Sequence, residues 1–239
     1  MQSTATSSRR LATAVAAALM GLLVLAGPAQ AISETEPNNK RSEANGPIMD
    51  GDTWSGDWGV GGEYGESDWL KFYIAKPTTV SFDITRGVVL ENEAGFELTH
   101  ANGDSIEGGA HVLIPDGQTS GNITKALGPG KYHFWVTGIL DGPDFGMTWQ
   151  VTAHGDFATW AEIQTSCAQG EANLASLNKA VASARKALTK AQKRKTGKSK
   201  KAKKAKAAAV KKAKSKLTKA QKAVATAKTS SEAVCAIEE

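Results

Sequence analysis

Hydrophobic and polar residues alternate through the middle of the chain. This alternation, together with β-branched and aromatic residues, predicts six strands, at residues 70–75, 79–85, 95–99, 111–114, 131–137 and 145–153. Turn-forming segments such as Ala101-Asn102-Gly103-Asp104 and Gly128-Pro129-Gly130 separate them. Short, regularly spaced strands with no helical window predict a β-sandwich. The same alternation assigns Trp135 and Trp149 to its core.

The pattern changes after Phe157, where alanine and lysine dominate. Apolar residues now recur at spacings of three and four in two runs, at Leu174, Leu177, Val181, Ala184, Leu188 and Ala191, and at Val210, Ala213, Leu217, Ala220, Val224 and Ala227. This spacing predicts two coiled-coil helices, with a helix-breaking segment at residues 195–199 between them. Folded back, the runs pair so that residue numbers sum to 401, and most pairs match a large residue with a small one. We therefore expect an α-helical antiparallel hairpin; the alternative is a solvated lysine-rich tail.

The two cysteines, Cys167 and Cys235, bracket this hairpin in nearly the same register. In an exported protein this arrangement predicts a disulfide at the base of the hairpin. The four histidines, His100, His111, His133 and His154, lie in the other half at no ligand-like spacing. We expect them to be surface or strand residues and not metal ligands.

The first residues indicate export. Arg9 and Arg10 precede an apolar run at residues 11–26, and a small-residue pattern ends at Ala31. These features predict a signal peptide at residues 1–31 and a secreted protein, extracellular or associated with the cell wall. A retained anchor helix is the alternative, although the run is short for a bilayer.

Charge divides the remaining chain into two domains of opposite sign. Residues 32–156 hold 7 Lys and Arg against 19 Asp and Glu, a net charge of −12, whereas residues 157–239 hold 20 against 5, a net charge of +15. Halves of opposite sign indicate separate partners or mutual docking. The prediction is thus a β-sandwich at residues 32–156 followed by a hairpin at residues 157–239.

Several motifs of the first domain resemble the bacterial pre-peptidase C-terminal domain. They are Glu34-Thr35-Glu36-Pro37-Asn38-Asn39, Glu43-Ala44-Asn45-Gly46-Pro47-Ile48, Ser55-Gly56-Asp57, Asp68-Trp69-Leu70-Lys71-Phe72 and Pro129-Gly130-Lys131-Tyr132. The resemblance covers residues 34–153 and does not include the hairpin. Within the family, this domain is similar to the collagen-binding modules of clostridial collagenases. The resemblance implies a jelly-roll-like sandwich.

The resemblance also implies a calcium site. Its ligand positions fall on Glu34, Glu36, Asn38, Asp57 and Asp68, and carboxylate and amide oxygens are what hard Ca²⁺ prefers. One expected aspartate is Gly65, flanked by Glu63 and Glu66. The alternative is a set of solvated linker charges, with Asp68 capping a turn. Thr137 and Ile139 stand where the collagenase modules carry gripping tyrosines, so collagen binding is not expected.

Two further groups of residues suggest ligands. Trp54, Trp58 and Tyr64 lie in a glycine-rich stretch and either stack on sugar rings or cover the edge of the sandwich. The hairpin turn concentrates nine cations without an acid, at Lys193, Arg194, Lys195, Lys198, Lys200, Lys201, Lys203, Lys204 and Lys206. This density predicts salt-dependent binding of an extracellular polyanion such as a wall polymer, an anionic lipid surface or DNA. The alternative is a solvated helix end.

No motif of a catalytic centre is found. The sequence lacks a glycine-flanked nucleophile, and no histidine stands near a serine partner. We expect a secreted, non-enzymatic binding protein whose hairpin tip holds a polyanion. The alternative is a structural or protein-interaction role, or an accessory subunit of a secreted peptidase or wall enzyme.

Overall fold

The computed structural model describes residues 31–58, 67–87, 93–139 and 147–239. Nine strands come first: β1 (Ala31–Ser33), β2 (Thr53–Trp58), β3 (Asp68–Ile74), β4 (Thr78–Arg86), β5 (Glu93–His100), β6 (His111–Ile114), β7 (Ser120–Leu127), β8 (Gly130–Ile139) and β9 (Met147–His154). Two helices follow, α1 (Trp160–Lys193) and α2 (Lys200–Cys235). The predicted signal peptide lies outside the described residues, except for Ala31.

The strands form two sheets that pack face to face. One sheet has the order β1-β2-β9-β4-β7 and the other has the order β3-β8-β5-β6. All pairs are antiparallel except β1 with β2. Side chains from both inner faces meet in one apolar core. The predicted β-sandwich followed by two helices is therefore confirmed.

Strand alternation decides which side chains enter this core. In β4 the buried residues are Val80, Phe82, Ile84 and Arg86, and a more exposed residue separates each from the next. Trp149 of β9 is buried in the core, as predicted. The prediction for Trp135 was wrong: Phe134 and Val136 fill the inward positions of β8, so the residue between them faces outward.

The hairpin follows the predicted register. The seam positions of both helices are half-buried, or buried at Ala213, and the positions around them are exposed. Near the base Gly170 packs closely against Ser231, a pair whose numbers also sum to 401. The helices begin at capping residues, since Thr159 accepts from the Glu162 amide and Ser199 from the Ala202 amide. No helix in the described part of the chain is long and apolar enough to cross a membrane.

The base of the hairpin is packed against the sandwich. Tyr73 of β3, Ile163 of α1 and Val234 of α2 form a small buried cluster with Ala158 and Ile237. The Ala158 amide donates to the Tyr73 carbonyl at 2.9 Å. A rise of about 1.5 Å per residue along α1 puts Lys193 about 45 Å from this joint.

Candidate calcium site and basic hairpin tip

Three carboxylates meet where the segment after β1 passes the start of β3. Oxygen atoms of Glu34, Glu36 and Asp68 lie within 4.8 Å of one another. Asp68 is buried and accepts a hydrogen bond from Trp149 Nε1 at 2.6 Å. Glu34 is half-buried and Glu36 is exposed. Gathering three like charges is unfavourable unless a proton or a cation neutralises them.

Asn38 lies in the same cluster and is fully buried. Its Nδ2 donates to Glu34 Oε2 at 2.7 Å, and its backbone amide donates to Glu36 Oε2 at 3.0 Å. Its Oδ1 is buried and has no hydrogen-bond partner among the described residues. A buried amide oxygen beside three carboxylates fits the oxygen-only ligand set that Ca²⁺ requires.

The electrostatics of Glu34 point the same way. Burial raises the pKa of its carboxyl from 4.5 to about 7, and the charges of Glu36 and Asp57 add to the rise, while hydrogen bonds from Asn38 and the Asp57 amide oppose it. A divalent cation would supply the positive charge that this cluster lacks.

Of the five positions that the resemblance implied, four meet here and one contributes differently. The Asp57 amide donates to Glu34 Oε1 at 2.8 Å, while its exposed side chain is not among the three grouped carboxylates. The Glu34 carboxylate sits so close to Gly56 that a Cβ at this position would overlap it. Glu63, Gly65 and Glu66 lie outside the described residues.

The disulfide prediction is confirmed. Cys167 and Cys235 are bonded, with their Cα atoms 4.9 Å apart. They lie beside the joint with the sandwich, where Cys167 packs on the cluster of Tyr73 and Ile163. The bond therefore closes the hairpin at the end that is anchored.

The nine predicted cations come together at the opposite end. All are exposed except Lys206, which is half-buried. Between residues 172 and 231 the chain has 20 Lys and Arg and no Asp or Glu, so the distal part of the hairpin contains no acidic group of its own. Open clefts of about 1010 Å³ and 580 Å³ lie along this part of the hairpin. Lysine and alanine line both clefts, and arginine also lines the larger one.

The lysines of α2 stand at an unfavourable place for helix stability. Lys200, Lys201 and Lys203 occupy its first turn, which contains no acid, although the positive end of a helix dipole disfavours cations. Each costs the helix on the order of 0.3–1 kcal/mol. Helix stability thus does not explain their position.

Of the proposed sugar-stacking residues, only the side chain of Trp54 is among those that the structure describes. Trp54 is 6% exposed and belongs to the core, so this part of the prediction was wrong, because β2 directs Trp54 between the sheets. The Trp58 side chain and Tyr64 lie outside the described residues.

Sequence reasoning missed a different aromatic pair. Trp69 and Trp135, on neighbouring strands of the four-stranded sheet, stack on its outer face. The apolar residues on either side of Trp69 and of Trp135 could have indicated that the two indoles face outward. Their contact could not be predicted, because it depends on the register between β3 and β8. The four histidines all lie in strands, and His133, on this outer face, is 1% exposed.

Known proteins that are similar to this chain are found among solved structures. No family model matches it, and no curated protein matches it. Among solved structures it is similar to the pre-peptidase C-terminal domain of a collagenase from Bacillus anthracis, with 16% identity and a TM-score of 0.33, over 53% of this chain and 97% of that one. It is also similar to PliG of Aeromonas hydrophila, a periplasmic inhibitor of g-type lysozyme, with 12% identity and a TM-score of 0.30, over 54% and 98%. The family indicated by the motifs is thus among the similar solved structures.

Proposed function

We propose that this protein is a secreted, non-catalytic binding protein whose disulfide-closed hairpin holds an extracellular polyanion at its tip. The observation that carries the proposal is the acid-free run of 20 cations from residue 172 to residue 231. Cations that are needed only for solubility have no reason to gather at the first turn of α2, where they weaken the helix. A phosphate or carboxylate polymer would turn this cost into a favourable contact.

The class of polyanion follows from what the tip offers. The tip carries lysine, arginine, alanine, threonine and serine, and no aromatic side chain on which bases could stack. Recognition should therefore rest on charge density and not on sequence. Wall polymers, anionic lipid surfaces and extracellular DNA all satisfy this requirement, and a wall polymer would hold the protein at the cell surface.

The test is the salt dependence of binding to duplex DNA of about 20 base pairs, used as a model polyanion. We expect log affinity to fall linearly with log salt, equally for two unrelated DNA sequences. Replacing Lys200, Lys201, Lys203 and Lys204 with glutamine should reduce the slope by about 3–4, because each phosphate contact contributes about 0.9.

A matched variant removes the same charge from the middle of α2, at Lys214, Lys216, Lys219 and Lys222. If the tip is the site, this variant keeps more affinity than the tip variant. Equal losses would show that only net charge matters. The alternative role in protein interaction would be favoured by a different result. In that case the tip variant would bind DNA as the wild type does, and Leu177→Asp would abolish binding to a protein partner.

We further propose that the sandwich is stabilised by calcium held by Glu34, Glu36, Asn38 and Asp68, with Asp57 close by. The buried, unpaired Oδ1 of Asn38 beside the three carboxylates supports this proposal. When bound, Ca²⁺ supplies the charge that neutralises the cluster. The residues themselves tie the segment after β1 to β2 and β3, since the Glu34 amide donates to the Ser55 carbonyl and the Trp69 amide to the Asn38 carbonyl.

Thermal unfolding of the mature chain, residues 32–239, tests the calcium proposal. A ligand that binds only the folded state stabilises it by about 2.7 kcal/mol at a hundred times its Kd, so millimolar Ca²⁺ should raise Tm. Glu36→Ala should abolish the rise at little cost without calcium, because Glu36 is exposed. Glu43→Ala, also exposed but outside the cluster, should keep it. A wild-type Tm that ignores Ca²⁺ would rule the site out.

A further inference from the structure

The outer face of the four-stranded sheet carries a pair of stacked tryptophans. Trp69 of β3 and Trp135 of β8 are directly opposite in register. Their ring centroids are 5.3 Å apart and their planes differ by 9°. Both side chains are half-buried, so part of each indole remains in contact with solvent. Large aromatic surface on an outer sheet face is a feature of binding surfaces.

Beside the two indoles, Glu97 of β5 stands opposite Trp135, and an uncharged row of the sheet follows. In the next row, Thr137 of β8, Gly95 of β5 and Leu113 of β6 lie side by side. Leu113 is 48% exposed, and among the described residues it is the one large hydrophobic side chain that is exposed. Because Gly95 has no side chain, the surface is low between Thr137 and Leu113. A ring or an extended chain lying on the tryptophans therefore has room to continue across the sheet.

Polar atoms without protein partners lie on the same face. Trp135 Nε1 and Thr99 Oγ1 are buried and have no hydrogen-bond partner in the described part of the chain. Thr99 stands opposite His133, one row from the tryptophan pair. Unpaired buried donors are rare in folded proteins and need a partner that the described part of the chain does not provide.

Cations gather around the tryptophans, although the domain is acidic. Of its 7 Lys and Arg, four belong to this region: Lys40, Arg41, Lys71 and Lys131. The Arg41 guanidinium carbon lies 6.0 Å from the Trp69 ring centroid. Burial, and then the neighbouring charge of Lys71, lower the pKa of Lys131. Glu238 and Glu239 oppose that shift, so acids from the C-terminal end of the chain lie near Lys131. Arg41 and Lys71 are the cations nearer the indoles.

An open cleft adjoins Trp69 and Arg41. It has a volume of about 670 Å³ and is lined by Asn39, Lys40, Arg41, Ser42 and Asn102 as well as Trp69. Volumes of a few hundred Å³ suit small ligands. The Asn102 amide is bonded to Asp104, so Asn39, Ser42 and the two cations provide the groups that bind hydroxyls and carboxylates.

We propose that this outer face binds an acidic saccharide, with sugar rings lying against the indoles of Trp69 and Trp135 and a carboxylate near Arg41 and Lys71. Sugar rings have an apolar C–H face that packs on indole and a rim of hydroxyls that Asn39 and Ser42 of the cleft could bind. The charges of Arg41 and Lys71 would favour an acidic sugar over a neutral one. This site is separate from the hairpin tip and does not depend on polyanion binding there.

The test uses a tetramer of galacturonic acid and its methyl ester, titrated calorimetrically into the mature chain at about 0.3 M salt, where surface charges are strongly screened. We expect saturable binding of the acid form and at least about tenfold weaker binding of the ester. Trp135→Leu should weaken binding of the acid about tenfold. Lys71→Gln should weaken the acid form and leave the ester unchanged.

Controls separate this site from the hairpin and from misfolding. The glutamine variant of Lys200, Lys201, Lys203 and Lys204 should bind the tetramer as the wild type does. Arg41→Gln, at an exposed position, repeats the test should Trp135→Leu lower Tm. The proposal is overturned if the wild type does not bind, if the tip variant loses binding, or if Lys71→Gln and Arg41→Gln both bind the acid form as tightly as the wild type.

Discussion

His133 illustrates how one residue on the sheet surface is held in a single charge state. Its ring is buried beside Trp69, with centroids 5.8 Å apart and planes at 87°. Burial lowers its pKa from 6.5 to about 4, a contact with the His100 backbone opposes the shift, and the charges of Lys131, Arg41 and Lys71 add to it. The ring is therefore neutral at neutral pH.

This pKa shift predicts acid sensitivity. As pH falls through 6.5, His133 takes up a proton in the unfolded chain but not in the folded chain. The contribution of His133 to the free energy of unfolding is therefore complete above pH 6.5 and is lost towards pH 4. Between pH 7.5 and pH 5.5 the wild type should lose about 1 kcal/mol more than His133→Leu. Urea unfolding at the two pH values measures the difference, and equal losses in both proteins would contradict it.

Residue positions could be predicted only as far as local pattern decides them. Glu34, Glu36, Asn38 and Asp68 meet as the resemblance implied, because the opening segment and the start of β3 are both marked by motifs. Trp54 was expected at the surface and lies in the core, whereas Trp135 was expected in the core and faces outward. Period-two alternation shows which residues share a face, but which face is inward depends on partner strands far away in the sequence.

At the scale of elements, strands rich in apolar residues were predictable and the others were not. β6 has the predicted bounds, and β4, β5 and β8 extend the predicted strands by two or three residues in total. β3 begins two residues before the predicted strand and ends one residue before its end. β7 was not predicted, because Ile123 and Leu127 are its only buried side chains. Its position is maintained by pairing with β4, where Asn122 donates to Asp83 Oδ1 at 2.7 Å. β2 likewise was hidden in a glycine-rich stretch.

The hairpin was predictable in register because its seam repeats through both helices. That seam consists largely of alanine and remains half-exposed along most of its length, so its contribution to stability is small. The disulfide between residues 68 apart removes about 4 kcal/mol of unfolded-chain entropy. The bond is thus comparable with the net contribution of the packing.

We therefore expect the hairpin to depend on oxidation. Replacing Cys167 and Cys235 with serine should lower the melting temperature of helical circular dichroism at 222 nm and leave the β-sheet transition largely in place. Reductant should reproduce this effect in the wild type and add nothing in the double variant. A helical transition that is unchanged in both would show that the seam suffices.

At the scale of the whole molecule, distance keeps the two charged units independent. The tip lies about 45 Å from the joint, and charges are screened over about 8 Å at physiological salt. The negative sandwich therefore does not neutralise the tip of its own hairpin, although it remains free to attract that of another molecule at low salt. The net charge of +5 thus says little about what either end experiences.

The acid-free run of the hairpin has one more consequence, which concerns its rigidity. Two helices whose distal surfaces carry only positive charge repel each other along that length, so the hairpin on its own is held together against its own charge. Added salt should therefore stabilise the hairpin and weaken its affinity for a polyanion, and the same lysine and arginine side chains cause both effects. A bound polyanion replaces the screening ions, and it stabilises the form that it binds. Capture and stiffening are then a single event, and amide hydrogen exchange in α1 and α2 should slow when DNA is added at low salt.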